Sequence, residues 1–144
     1  MRVLIQRSNK ANVIINNKVY NSINSGLVLL VGFTEGDDID KIKYLAKKIV
    51  NLRIFPDDND IMNKSILDNG GEILSISQFT LYADTSKGNR PSYIKALGGE
   101  KAKELYELFN KELEKYVTIK TGIFGADMEV NISNIGPTTI NLER

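Results

Sequence analysis

Runs of apolar residues punctuated by Asn, Asp, Gly and Pro divide the chain into short elements. Residues 2–33 read as strands. Val13-Ile14-Ile15, then Asn16-Asn17, then Lys18-Val19-Tyr20 has the pattern of a hairpin, because asparagine tolerates the positive φ of a tight turn. The stretch GLVLLVGF at 26–33 is unbroken apolar sequence, as expected of a strand covered on both faces. Asp37 or Asp38 can cap a helix whose apolar positions Ile39, Ile42, Leu45, Ala46 and Ile49 follow the helical period. Arg53-Ile54-Phe55 predicts a short strand, and Pro56-Asp57-Asp58-Asn59 a turn.

Gly70-Gly71 opens a strand that runs through Ile73 to Ile76 into SQFTLYAD at 77–84, and a basic loop, KGNRPSY, follows at 87–93. Ala102, Leu105, Tyr106, Phe109 and Leu113 form one stripe of a second helix over about 99–116. Strands are expected again at 117–124 and 128–133. Asn134-Ile135-Gly136-Pro137 breaks the second of these before it resumes at 138–142. The pattern predicts one α+β domain over residues 1–144: a mostly antiparallel, barrel-like sheet with two principal helices.

Composition narrows the chemistry. The 144 residues include no His and no Cys, so Ser–His–Asp and Cys–His sites are excluded and a reducing, cytoplasmic setting is the default expectation. With 19 basic and 18 acidic side chains the net charge is +1, without the basic excess that gripping a long nucleic acid requires. DNA and membrane are therefore not expected partners, and no apolar run is long enough to span a bilayer. The acidic run at 57–60 reads as a solvated turn, and no metal or cofactor is expected.

SQFTLYAD stands out because Ser77, Gln78 and Thr80 interrupt an apolar run. A Thr80 or Ser77 nucleophile would need an activating base, and Lys87 is the only candidate the sequence suggests. The bland alternative is hydroxyls bonded to strand backbone. Backbone N–H groups at an irregular strand end offer a third option, an oxyanion hole acting on an activated ester, which needs no histidine. Gly136-Pro137 reads locally as an ordinary turn between strands. Arg7 shares strand parity with Val3 and Ile5, and is either a buried cation in search of carbonyl partners or a solvated charge.

SQFTL at 77–81 and N-x-G-P-T-T at 134–139 resemble the two defining motifs of the D-aminoacyl-tRNA deacylases. The resemblance extends over MRVLIQR at 1–7, NLRIFPD at 51–57, GGEIL at 70–74, KGNRPSY at 87–93 and GIFGADM at 122–128. It implies a homodimeric hydrolase that cleaves the ester joining a D-amino acid, and to some degree glycine, to the 3′-terminal adenosine of tRNA. On this resemblance Ser77, Gln78, Phe79 and Thr80 contact the adenosine and the scissile carbonyl. Gly136 and Pro137, joined by a cis bond, reach the neighbouring subunit's site and reject L residues. Arg7 braces that loop, and Met128 and Asn134 lie near the same site. Thr138 stands where valine is more usual, Ser8 replaces an apolar residue, and Asn89 and Tyr93 vary the KGxRPSF pattern. A Thr80-nucleophile esterase and a non-catalytic module for tRNA ends are the alternatives.

Overall fold

The computed structural model describes residues 1–144, and its first hairpin turns where the asparagines stand. Asn16 and Asn17 have φ of 51° and 60°, the left-handed pair of a tight hairpin turn, between β1 (Arg2–Ile15) and β2 (Lys18–Ile23). β3 (Gly26–Gly32) returns antiparallel to the first half of β1. Helix α1 (Ile39–Val50) is capped by Asp38, whose carboxylate accepts from the N–H groups of Asp40 and Lys41. Asp37, the other expected cap, is buried instead and pairs with the Met1 ammonium at 2.6 Å.

A small hairpin, β4 (Phe55–Pro56) with β5 (Met62–Lys64), encloses the acidic turn. There Asp57 accepts from the main chain of Asn59 and Ile61, which holds its carboxyl below the usual carboxylate range, as a solvated turn requires. One helical turn, α2 (Ile66–Asn69), precedes β6 (Glu72–Ser77). The second long helix, α3 (Gly99–Glu114), is followed by β7 (Thr118–Thr121) and β8 (Glu129–Glu143).

The main sheet is mixed. β1 pairs antiparallel with β2, β3 and β8, while β3–β6 and β6–β7 are parallel ladders. Its two ends curl together: the Asn21 side chain of β2 donates to the Thr121 carbonyl of β7 at 2.7 Å, nearly closing a barrel. β3 explains its own unbroken apolar run. Leu27, Leu29 and Val31 face α1 and α3 in the larger core, with Ile42, Leu45, Phe109 and Leu113, while Val28 joins Val13, Leu74 and Ile76 in a second core on the other face. Each such side chain, fully buried, contributes roughly 1.5–3 kcal/mol.

Three expectations are corrected. SQFTLYAD is not one strand: β6 stops at Ser77, and Phe79–Tyr82 forms a 3₁₀ turn. Pairing with β7 ends at Thr121, and beyond it the chain follows the cleft described below rather than a neighbouring strand. Nor does the sequence 134–137 end its strand. β8 continues through it as a bulge, with Arg7 alone standing opposite residues 135–138 between the pairs Gln6–Thr139 and Ser8–Asn134. That bulge also ends the strict alternation of β1. Val3 and Ile5 are fully buried, whereas Arg7 is half-buried.

Tyr82 closes the 3₁₀ turn in the protein interior, with the Arg2 guanidinium 4.5 Å over its ring. Burial, reinforced by the charges of Asp37 and Glu143, pushes its phenol up to about 12. The unfolded chain releases this proton near pH 10, so the contribution is complete below pH 10 and is lost as pH rises toward 12. The hydroxyl has no hydrogen-bond partner, so Tyr82→Phe should change stability at neutral pH by less than about 1 kcal/mol. Thermal melts from pH 9 to 12 should show a steeper fall in Tm for the parent chain than for the phenylalanine variant.

Candidate active site

β3 and β6 run parallel, and a cleft of about 400 Å³ opens beyond their carboxyl ends. Val31, Gly32 and Phe33 of the first strand and Ile76 and Ser77 of the second form one wall. Gln78 and Phe79 turn across its mouth, Leu97, Gly98, Gly99 and Ala102 bring the start of α3, and residues 124–128 with Val130 close the remaining side. The volume suits a ligand of nucleoside size.

The 3₁₀ turn is held at both ends. The Gln78 N–H donates to the Val31 carbonyl at 2.7 Å, and the Ala83 N–H to the Thr80 carbonyl at 3.0 Å. The Gln78 side-chain amide donates to Thr80 Oγ1 in a very short contact, fixing both side chains. Gly32 lies behind the turn, where a Cβ would come within 2.9 Å of the Gln78 carbonyl, so a glycine is needed for the two segments to approach. Like any helical turn, this one begins with N–H groups that have no acceptor inside it. α3 starts the same way: its cap is Gly98, which supplies no side-chain bond, and its first turns face the cleft.

Deeper support comes from Tyr106, which donates to the Ser75 carbonyl at 2.7 Å and packs against Phe124 with ring centroids 5.9 Å apart. Burial raises its phenol, against the lowering influence of its bonds to Ser75 and Asn110, so it remains a neutral donor. Met128 packs on Gly122, where any Cβ would run into its sulfur. Asp127 is the only ionisable side chain that lines the cleft, and it is exposed. The arrangement offers main-chain donors, one hydroxyl and one amide to a bound group. It offers no buried acid or base.

Of the residues singled out from the sequence, Ser77, Gln78, Phe79 and Met128 line this cleft, and Thr80 sits one residue beyond, tied to Gln78. Gly136, Pro137 and Arg7 do not line it. They border a second concavity with Pro56, Asp60, Met62 and Thr138. The Gly136–Pro137 bond is cis, and both residues are exposed on the β8 bulge. Arg7 Nη1 donates to the Ile54 carbonyl at 2.6 Å, and the guanidinium lies beside Gly136. Asn134 Nδ2 donates to Thr139 Oγ1 at 3.0 Å, and that hydroxyl donates to the Pro137 carbonyl at 3.2 Å, so Asn134 braces the bulge from its base.

The sequence reading missed Phe33, Leu97, Gly98, Gly99 and Ala102 as lining residues. Their only signals were a glycine pair before a helix and a strand ending in Gly-Phe.

A family model described as D-Tyr-tRNA(Tyr) deacylase matches residues 4–143. The chain is 54% identical over 144 residues to a D-aminoacyl-tRNA deacylase of Listeria monocytogenes serotype 4a, covering 99% of this chain and 95% of that protein. It is 55% identical to a D-aminoacyl-tRNA deacylase of Lactobacillus gasseri, with 99% of each covered. Among solved structures, it is similar to the c-Myc DNA unwinding element binding protein, with a TM-score of 0.95, 37% identity and coverage of 100% of this chain and 99% of that one. A probable eukaryotic D-amino acid tRNA deacylase shares the fold at a TM-score of 0.80 and 14% identity, with 98% of both chains covered.

Proposed function

Since the chain belongs to the D-Tyr-tRNA(Tyr) deacylase family, hydrolases of the D-aminoacyl-tRNA ester, we propose that it is a homodimeric chiral proofreader working without a side-chain nucleophile. The observation that carries this reading is a nucleoside-sized cleft rimmed by Ser77, Gln78 and Phe79 whose one ionisable lining side chain, Asp127, is exposed. With no buried base, the protein's contribution is position and preorganised donors, which suffice for an ester that is already activated.

The terminal adenosine occupies the cleft and the ester carbonyl lies over the opening of the 3₁₀ turn. A water oxygen bonds to the carbonyl carbon and loses its proton to solvent, and the carbonyl electron pair moves onto oxygen, facing the N–H groups of Phe79 and Thr80. Collapse breaks the bond to the ribose 3′-oxygen, which takes a proton relayed by the neighbouring 2′-hydroxyl, freeing the amino acid and the tRNA. Each oxyanion donor is worth roughly 10²–10³ in rate.

Gly136 and Pro137 are exposed and border a different concavity from the cleft of their own chain, which supports their acting on a second copy's site. In that position their carbonyls hold the substrate amino group and leave no room for an L side chain, while glycine passes in part. Rigid main chain rejects by overlap, a stronger discrimination than one lost apolar contact provides.

Hydrolysis of D-tyrosyl-, L-tyrosyl- and glycyl-tRNA by the purified protein, with a chelator present, tests the reading. Fast release of the D residue with the L ester intact is expected, and equal cleavage of D and L would remove the Gly136–Pro137 role. Thr80→Ala should keep turnover within about tenfold of the parent, because it loses one side-chain bond and no attacking atom. Abolished turnover with a trapped acyl-enzyme would instead establish Thr80 as a nucleophile.

A further inference from the structure

The segment between the 3₁₀ turn and α3 starts and finishes at the rim of the cleft, and the mechanism above uses nothing in between. Its base is fixed. Asp84 and Ser92 exchange two main-chain hydrogen bonds of 2.8 and 2.9 Å, Thr34 Oγ1 donates to the Lys95 carbonyl at 2.6 Å, and the Leu97 N–H donates to Phe33 at 2.8 Å. Tyr93 packs edge-on against Phe79, with ring centroids 5.0 Å apart.

From these anchors the segment exposes Lys87, Arg90 and Lys95. Lys95 is neutralised by Asp84 at 3.3 Å, and bonds from Ser86 together with Lys95 hold that carboxyl at about 2, ionised throughout the working range. Lys87 and Arg90 have no carboxylate within ion-pair reach. Beside them stand apolar groups open to solvent: Tyr93 is 40% exposed and Ile94 is 94% exposed.

Unpaired cations interleaved with exposed aromatic and apolar surface are what single-stranded nucleic acid needs, the cations meeting phosphates and the flat apolar surface meeting bases. Phe79 and Leu97, which bracket this segment, both line the cleft, so a ligand whose terminal adenosine fills it can leave across this rim. The net charge of +1 limits the contact to a few phosphates. We infer that the 84–95 rim binds the unpaired nucleotides immediately 5′ of the adenosine, with Lys87 and Arg90 on their phosphates and Tyr93 and Ile94 under a base. The inference rests on the deacylase reading for the position of the adenosine.

The test compares D-tyrosyl-adenosine, D-tyrosyl-CCA trinucleotide and D-tyrosyl-tRNA as substrates, together with direct titration of uncharged CCA trinucleotide. In the double variant Lys87→Ala/Arg90→Ala, KM for the trinucleotide and tRNA esters should rise roughly tenfold with kcat unchanged, while the adenosine ester is cleaved as before. The slope of log(kcat/KM) against log salt should fall by about 1.4, some 0.7 for each single-strand phosphate contact removed. Tyr93→Ala should weaken trinucleotide binding by about five- to tenfold.

Unchanged trinucleotide kinetics in the double variant would overturn the inference. So would equal impairment on the adenosine ester, or loss of self-association with trinucleotide affinity intact, which would make the rim a contact between copies. If the parent chain hydrolyses none of the esters, the deacylase reading fails. The rim assignment then stands or falls with whether CCA binding depends on Lys87 and Arg90.

Discussion

Gly136→Ala is expected to lower discrimination between D- and L-tyrosyl-tRNA by at least about tenfold, with slower cleavage of the D ester, in a protein that remains folded. The residue has φ of +112°, where an L side chain is strained. A Cβ there would come within 2.8 Å of the Thr138 main-chain nitrogen and 2.7 Å of its hydroxyl, with Arg7 Nη2 at 3.2 Å. The hydroxyl can rotate away, but the nitrogen cannot, and Arg7 is held by the Ile54 carbonyl. The bulge itself must therefore shift, and the carbonyls proposed to exclude L residues shift with it. The strain should cost about 1–2 kcal/mol of stability, because the bulge is exposed and its neighbours β1 and β8 pair on either side of it. Initial rates on both esters, with a thermal melt of the same preparation, check this. An unchanged D:L ratio in a folded variant would separate the bulge from chiral selection.

A larger effect on the fold itself is expected from Gly26→Ala. Gly26 has φ of +139° and is the first residue of the parallel β3–β6 ladder, in register with Glu72. A Cβ built there would overlap the Glu72 carbonyl oxygen and come within 2.7 Å of its nitrogen, and the Glu72 N–H is already bonded to the Ser25 carbonyl. Nothing here is a flexible side chain that could yield. The two strands would have to part at the point that sets their register, and with it the position of Ser77 and Gln78. The loss should exceed about 4 kcal/mol, a large fraction of the roughly 5–15 kcal/mol that stabilises an ordinary domain. Urea denaturation should show a collapsed midpoint or a chain unfolded without denaturant. Gly70→Ala is the control: its φ is +75°, but a Cβ would meet nothing within 4 Å, so the cost should stay near 1 kcal/mol.

These two glycines mark the border between what local sequence encodes and what it does not. Gly136 was visible through its motif, whose resemblance also implied a role at a neighbouring subunit's site, but its left-handed backbone and the bulge that carries it could not be read there. Gly26 read only as the start of an apolar run, because its need for no side chain comes from Glu72, which lies far along the chain. SQFTLYAD shows the same limit. Its polar residues marked it out, yet extended and 3₁₀ conformations look alike over so short a stretch. The turn is imposed by the Val31 carbonyl that captures the Gln78 N–H and by the glycine behind it.

By itself the sequence determined the hairpin at Asn16-Asn17, the aspartate cap of α1, the buried faces of both long helices, the doubly covered β3 and the absence of any histidine or cysteine nucleophile. Each follows from side-chain chemistry and short-range periodicity. Only the tertiary structure decided that the ends of two parallel strands, a 3₁₀ turn, the start of α3 and the 124–130 segment converge on one cleft, and that the β8 bulge faces elsewhere. The reason is that periodicity specifies which face of an element is apolar. Which distant element covers that face, in which register, follows from packing the whole chain.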